Sequence, residues 1–295
     1  MDQISLRAYA KINLTLDVVG RRKDGYHLLQ SVMQSISLAD FLTLRPQSEG
    51  ITLVTDHPTV PTDETNICWG AVTAFQRYTG VTRGVRIELV KNIPLQAGLG
   101  GGSTDAAAVL HGLNQLFATN LSLQELQTIG LQIGADVPFC LQGGTALVQG
   151  IGEQITTLTS FPTVTIVLVK PKEGVSTAEV YRSLSPAAHG GKSPMELVAK
   201  LATQASVEQL GLGLSNALEA VTIDLVPEIG VWKERLLTAG SCGTLMSGSG
   251  TTVFGLFTNF ELAKQFSVDW SDQARVFVVH PVPRGVDQMN GGDLT

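Results

Sequence analysis

The chain has 295 residues, of which 43% are hydrophobic and 16% charged, and it carries a net charge of −6. That apolar content supports a sizeable core and excludes a disordered chain, and the length favours two ordinary domains over one. The acidic balance argues against nucleic acid or a membrane surface as a partner, so an anionic ligand would have to be held by local groups.

The three cysteines, Cys68, Cys140 and Cys242, are scattered and lack metal-ligand spacing, which suits a reducing compartment. Asp2, Arg7, Lys11 and Asp17 interrupt the apolar residues of the first stretch, unlike a signal peptide. No run approaches the ~18 apolar residues of a membrane span. These features predict a soluble cytoplasmic protein, or a plastid stromal one if a transit peptide has been removed, existing as a monomer or homodimer.

Along the chain, strand-like and helix-like segments alternate, which predicts an α+β fold. Residues 4–19, ISLRAYAKINLTLDVV, alternate apolar and polar positions as a half-buried strand does. GVRIELVKNIP, 84–94, reads as a second strand, stopped by Pro94. A glycine-rich loop follows, and then a helix with Val109, Leu113, Leu116 and Phe117 on one face. Ser122 and Glu125 have capping-box spacing for the next helix. TVTIVLVKP, 163–171, predicts a short buried strand. Ser193, Pro194 and Glu196 occupy the N-cap, first and third positions of a further helix. Pro227 opens another helix, Gly240 stops it, and TTVFGLF predicts a strand. The composition shifts near 156–163. The expected organisation is a first domain over 1–160, a second over 161–283, and a loose polar tail over 284–295.

The chemistry-bearing stretch is PLQAGLGGGSTDAAAVL, 94–110. Each glycine in a regular element costs roughly 0.5–1 kcal/mol against alanine, so such a cluster implies an unusual backbone or a closely approaching guest. Bare amides ahead of a helix N-terminus suit phosphate oxygens. Ser103 and Thr104 add hydroxyls for a phosphate or its Mg²⁺. A tight turn that brings the helix close to a strand is the alternative. The pattern G-x-G-x-x-G fails at Ser103, and GGKS at 190–193 lacks the leading glycine of a P-loop because Pro186 stands there. The GGKS stretch reads as a surface loop.

PLQAGLGGGS resembles the phosphate-binding motif of the GHMP kinases, position by position from Pro94 to Ser103. AYAKINL, KDGYHLLQS, TNIC, GADVPFCLQGGTALVQGIGE and MSGSG extend the resemblance over residues 8 to 255. They are most similar to the members that phosphorylate a cytidine-diphosphate-linked methylerythritol in the non-mevalonate isoprenoid pathway. The resemblance implies a two-domain fold, with an N-terminal ATP-binding α/β domain and a C-terminal ferredoxin-like α+β domain, and an active site in the cleft between them. ATP and Mg²⁺ are the implied cofactors, and the small molecule is the implied partner.

The same resemblance implies roles for individual residues. Lys11 and Asp136 match the catalytic pair, Asp136 as base or positioning group and Lys11 as its electrostatic partner. Pro94, Leu95, Gln96, Ala97, Gly98, Leu99, Gly100, Gly101, Gly102, Ser103 and Thr104 would cradle the ATP phosphates, with Ser103 or Thr104 as metal ligand. Asn66 and Lys91 would contact the adenosine side. Asn13 would bind the erythritol hydroxyls, Tyr26 would stack on the cytosine, His27 would bond its polar edge, and Tyr181 would close its other face. From the residues alone, Lys11 could face solvent, Asp136 could belong to a turn, and Tyr26 and His27 could be surface residues. MSGSG either helps hold substrate phosphates and shape the glycine loop or is a strand-entry turn. The rivals are a GHMP kinase acting on another alcohol and a non-catalytic nucleotide-binding protein.

Overall fold

The alternation over residues 4–19 becomes two strands, β1 (Ile4–Asn13) and β2 (Thr15–Arg21), because the chain breaks at Leu14. The structure, a computed structural model, describes residues 2–23, 25, 27–184 and 193–289. Tyr26, residues 190–192 of the GGKS stretch and residues 290–295 of the expected tail lie outside the described residues. Strand β3 (His27–Gln47) is the spine of the first half, pairing antiparallel with both β1 and β2. After it come β4 (Ile51–Thr55), α1 (Ile67–Thr79) and β5 (Gly84–Val90). Helices α2 (Gly101–Leu116), α3 (Leu123–Leu131) and α4 (Val137–Gln142) precede β6 (Thr145–Gly150) and β7 (Gln154–Thr157).

The second half begins with β8 (Thr165–Lys170), α5 (Thr177–Ser183), α6 (Pro194–Ala202), α7 (Val207–Gly211) and β9 (Ser215–Asn216). Helices α8 (Glu219–Leu225) and α9 (Glu228–Thr238) lead to β10 (Gly243–Met246) and β11 (Val253–Phe257). Helix α10 (Phe260–Trp270), β12 (Arg275–Val279) and β13 (Val286–Gln288) end the described chain. Ser122 forms the expected capping box with Glu125, and Ser193 caps α6 through the Met195 amide. Among the described residues no helix is long and apolar enough to cross a membrane.

Two sheets result. One has nine strands, and the other is four-stranded and antiparallel, in the order β10-β11-β8-β12. With helices between β8 and β10 and again between β11 and β12, the smaller sheet has ferredoxin-like topology. The chain passes from one sheet to the other between Thr157 and Thr165. Two late strands return to the first sheet: β9 runs parallel to β2, and β13 pairs antiparallel with β1.

The tail expected over 284–295 therefore needs correction in its described part, 284–289. Val286 is buried and faces Ala8, Leu6 faces Gln288, and the Met289 amide donates to Ser5 O at 2.8 Å. Strand β1 would otherwise present an open edge, and this short polar segment covers it. Polarity concealed the role, since an edge strand needs backbone groups more than apolar side chains.

Strand β1 serves two cores. Ile4, Leu6 and Ala8 pack with Leu110, Leu113 and Phe75 beneath helices α1 and α2. Ala10, Ile12 and Leu14 belong to a second cluster that includes Leu168, Phe254 and Leu256 of the smaller sheet. Each fully buried large side chain contributes about 1.5–3 kcal/mol. The junction between the halves is thus a continuous apolar contact, and the strand that crosses it carries Lys11 and Asn13.

Candidate active site

The glycine loop leaves β5 and enters α2. Gly98 and Gly100 have φ of 74° and 71°, a conformation that side-chain-bearing residues rarely adopt. A Cβ on Gly98 would stand 2.1 Å from the Ser247 carbonyl oxygen. Three bonds hold the loop: the Lys11 amide donates to Leu99 O at 3.0 Å, the Thr252 amide to Ala97 O at 3.3 Å, and the Ser247 hydroxyl to Gly98 O at 2.9 Å. The MSGSG segment therefore shapes the loop directly. Gly100 caps α2 with no side-chain bond, and the first intrahelical bond runs from the Thr104 amide to Gly100 O at 2.9 Å. The amides of Gly101, Gly102 and Ser103 lead a 16-residue helix at its positive end. That arrangement receives an anion without further rearrangement.

Lys11 does not face solvent. It is buried, its ammonium lies 3.2 Å from Asp136 Oδ2, and it donates to Asn13 Oδ1 at 2.8 Å. Lys11 and Asn13 share a face of β1 because they are two residues apart. Asn13 is fixed in turn, its side-chain amide donating to Ser31 Oγ at 2.8 Å and its backbone amide to Ser247 Oγ at 3.2 Å. Asp136 occupies the N-cap of α4 with no side-chain bond to that helix, and its side chain remains 33% exposed. Its carboxylate is therefore open to a ligand, while the more deeply buried Lys11 stands behind it on the cavity wall.

One cavity of about 1340 Å³ joins these groups, lined by Lys11, Asn13, Asp136 and every residue from Pro94 to Ser103. A single small-molecule site usually occupies about 300–1,000 Å³, so the space suits two ligands side by side. His27 and Tyr181 line it too, their rings stacked with centroids 4.9 Å apart. Burial, with the Asp136 charge adding to it, pushes the Tyr181 hydroxyl well above its ordinary value, so it stays a hydrogen-bond donor. Tyr181, expected as one wall of a base slot, carries the His27 ring against one of its faces, and the other expected wall, Tyr26, lies outside the described residues.

Three other expected site residues have side chains engaged within the fold. Lys91 is buried against Asp40 and lies 2.6 Å from Asp105 Oδ2, and its ammonium does not line the cavity. Burial works against its charge, but the Asp105 and Asp40 carboxylates outweigh that and hold it above its ordinary value. Asn66 caps α1, accepting from the Cys68 amide at 2.8 Å while its own amide donates to Pro61 O at 2.7 Å. Both ends of Asn66 are spent on local structure. The fully buried Thr104 hydroxyl donates to Tyr9 O at 2.7 Å, so that of the two expected metal ligands only Ser103 lines the cavity.

The cavity residues that the sequence reading did not single out include Arg21, Thr177 and Arg182. Arg21 pairs across the sheet with His27, and its Nε donates to Gly25 O at 3.2 Å. Arg182 follows Tyr181, and its Nε donates to Ala178 O at 3.1 Å. The run GRRKDGYH held a signal, being basic in an acidic chain. The Thr177–Ser249 hydroxyl contact, 2.8 Å long, joins residues too distant in sequence to pair by eye. Among the described residues no group of three or more His, Cys, Asp or Glu could hold a metal.

Two family models match, the GHMP kinases N terminal domain over residues 66–144 and the GHMP kinases C terminal domain over residues 193–275. A 4-diphosphocytidyl-2-C-methyl-D-erythritol kinase of Acetivibrio thermocellus is 47% identical over 259 residues, covering 88% of this chain and 92% of that protein. The Carboxydothermus hydrogenoformans protein of the same name is 45% identical, covering 94% and 96%. The chain belongs to the family of 4-diphosphocytidyl-2-C-methyl-D-erythritol kinases, a branch of the GHMP kinases. A crystal structure titled 4-(cytidine 5'-diphospho)-2C-methyl-D-erythritol kinase superposes with a TM-score of 0.80 at 35% identity, covering 94% of this chain and 98% of that one. A homoserine kinase from Cytophaga hutchinsonii superposes with a TM-score of 0.82 at 22% identity, covering 98% of each chain, which shows the shared fold alone.

Proposed function

We propose that this chain transfers the terminal phosphate of ATP to a hydroxyl of 4-diphosphocytidyl-2-C-methyl-D-erythritol, giving the 2-phosphate. The observation that carries the reading is the Lys11–Asp136 pair, 3.2 Å apart, in the same cavity as the open amides of the glycine loop. The loop amides and the α2 N-terminus hold the phosphates of ATP. The acceptor lies with its hydroxyl at Asp136 and its cytidine toward His27 and Tyr181. Arg21 and Arg182 supply positive charge for its diphosphate.

Phosphoryl transfer depends on positioning and charge neutralisation, because the transferred group is only loosely bonded at the transition state. The acceptor oxygen attacks the terminal phosphorus, the bond to the bridging oxygen breaks, and ADP leaves. The hydroxyl proton passes to Asp136, which needs it only late, once the oxygen has lost electron density. Lys11 orients Asp136 and stabilises the charge on the transferring group, while Asn13 holds Lys11. Mg²⁺ would be held at this wall by the Ser103 hydroxyl, since so well-hydrated an ion takes only one or two protein oxygens. Bound there, it would neutralise phosphate charge. The relatives named above are bacterial, and we place the reaction in the cytoplasm; a plastid location finds no support among them.

The test is ADP release with a panel of alcohols. Turnover should be confined to the cytidine-linked methylerythritol, with none on homoserine or mevalonate. Equal turnover on all three would overturn the acceptor assignment.

A further inference from the structure

A buried charge cluster ties the entry of the glycine loop to its exit. Asp40, on β3, is fully buried, and its Oδ1 accepts the amides of Asn92 at 2.6 Å and Ile93 at 2.8 Å. Those residues stand directly before Pro94, where the loop begins. Asp40 Oδ2 pairs with the Lys91 ammonium, which also reaches Asp105 Oδ2 at 2.6 Å. Asp105 lies in the second turn of α2, just past Ser103 and Thr104 where the loop ends. The loop backbone rests on the cluster, since a Cβ on Gly101 would lie 3.0 Å from Ile93 Cγ2 and 3.5 Å from Lys91 Nζ.

This cluster is a poor source of stability. One ammonium serves two carboxylates, the three side chains are at most 4% exposed, and Asp105 Oδ1 has no hydrogen-bond partner. Well-packed apolar residues of the same volume often stabilise a core more than a buried ion cluster does. Fixed geometry is what such a cluster does supply, and a phosphate cradle needs its donors within about 0.5 Å of their productive places.

We propose that Asp40, Lys91 and Asp105 are positioning residues for the phosphate loop, clamping both its ends so that the amides of 98–103 converge on ATP. The inference rests on the reading of that loop as the ATP phosphate cradle. Burial, reinforced by the Asp40 charge and opposed by Lys91, pushes the Asp105 carboxyl well above the usual carboxylate range. A neutral side chain with an oxygen in the same place should therefore substitute for it.

The test is calorimetric titration of the full chain with ATP, alongside KM for ATP and for the acceptor. Asp105→Ala should weaken ATP binding about tenfold or more, the scale of one lost charge-assisted hydrogen bond. KM for the acceptor should stay in place. Asp105→Asn keeps an oxygen for Lys91 and should restore most of the affinity, a rescue that a merely structural role would not tie to ATP. Asp40→Asn turns an amide donor toward the Lys91 ammonium and should also weaken ATP binding, so the outcome does not depend on Asp105→Ala folding. Folded variants of both positions that bind ATP within about twofold of the unmodified chain would overturn the clamp alone. An unmodified chain that binds no ATP would overturn the cradle reading and the clamp together.

Discussion

Consecutive glycines of one loop touch two lysines with opposite surroundings. A Cβ at Gly100 would lie 3.0 Å from the Lys11 stem, and one at Gly101 would lie 3.5 Å from the Lys91 ammonium. Both lysines are almost fully buried and both pair with carboxylates. The difference is the partner. Asp136 keeps a third of its side chain open to the cavity, whereas Asp40 and Asp105 are sealed. A carboxylate in reach of ligand can exchange partners and move a proton, and a sealed one can only hold shape. Accessibility of the counter-ion, rather than burial of the lysine, separates the chemical side of the loop from the structural side.

Substitutions on the two sides should therefore fail differently. The largest effect is expected at Asp136→Asn, which should lower kcat about 10²–10⁴-fold, the usual value of a general base, with ATP affinity retained by calorimetry. Loss of ATP affinity there would give Asp136 a structural role like that of Asp40. Lys91→Met leaves two buried carboxylates without their cation and should cost about 3–5 kcal/mol of stability in urea unfolding. An unchanged unfolding midpoint would show that the cluster relaxes without it.

Gly98→Ala forces a methyl group against the Ser247 carbonyl at a positive φ, so the loop must shift. KM for ATP should rise about tenfold, corresponding to about 1.4 kcal/mol of lost binding, while KM for the acceptor stays in place. The smallest effect is expected at Asn66→Ala, which removes a helix cap and should cost about 1 kcal/mol of stability. Its KM for ATP should be unmoved. A rise there would return Asn66 to the nucleotide site and blur the division.

Much of the loop side was legible because its signal is local. Glycines at 98, 100, 101 and 102 ahead of an alanine-rich run state a backbone shape and a helix start within a few residues. Ser122 and Glu125 declared their cap for the same reason. The aromatic end was less legible. His27 and Tyr181 stack across a separation that no periodicity reports, and Arg21 and Arg182, beside them in the fold, line the same cavity. Residues 286–288 were concealed by polarity, since a strand that closes an edge does so with amides and carbonyls.

Taken alone, the sequence determined the glycine loop, the helix it feeds, the mixed α+β character and the family, because each is written in neighbouring residues or in motifs carried whole. Only the tertiary structure decided which polar side chains are free to act. Lys91, Asn66 and Thr104 look as suitable as Lys11 and Ser103 on paper, yet each spends its polar atoms on partners the fold brings to it. A side chain's chemistry is set by what already occupies its hydrogen bonds, and those occupants come from distant parts of the chain.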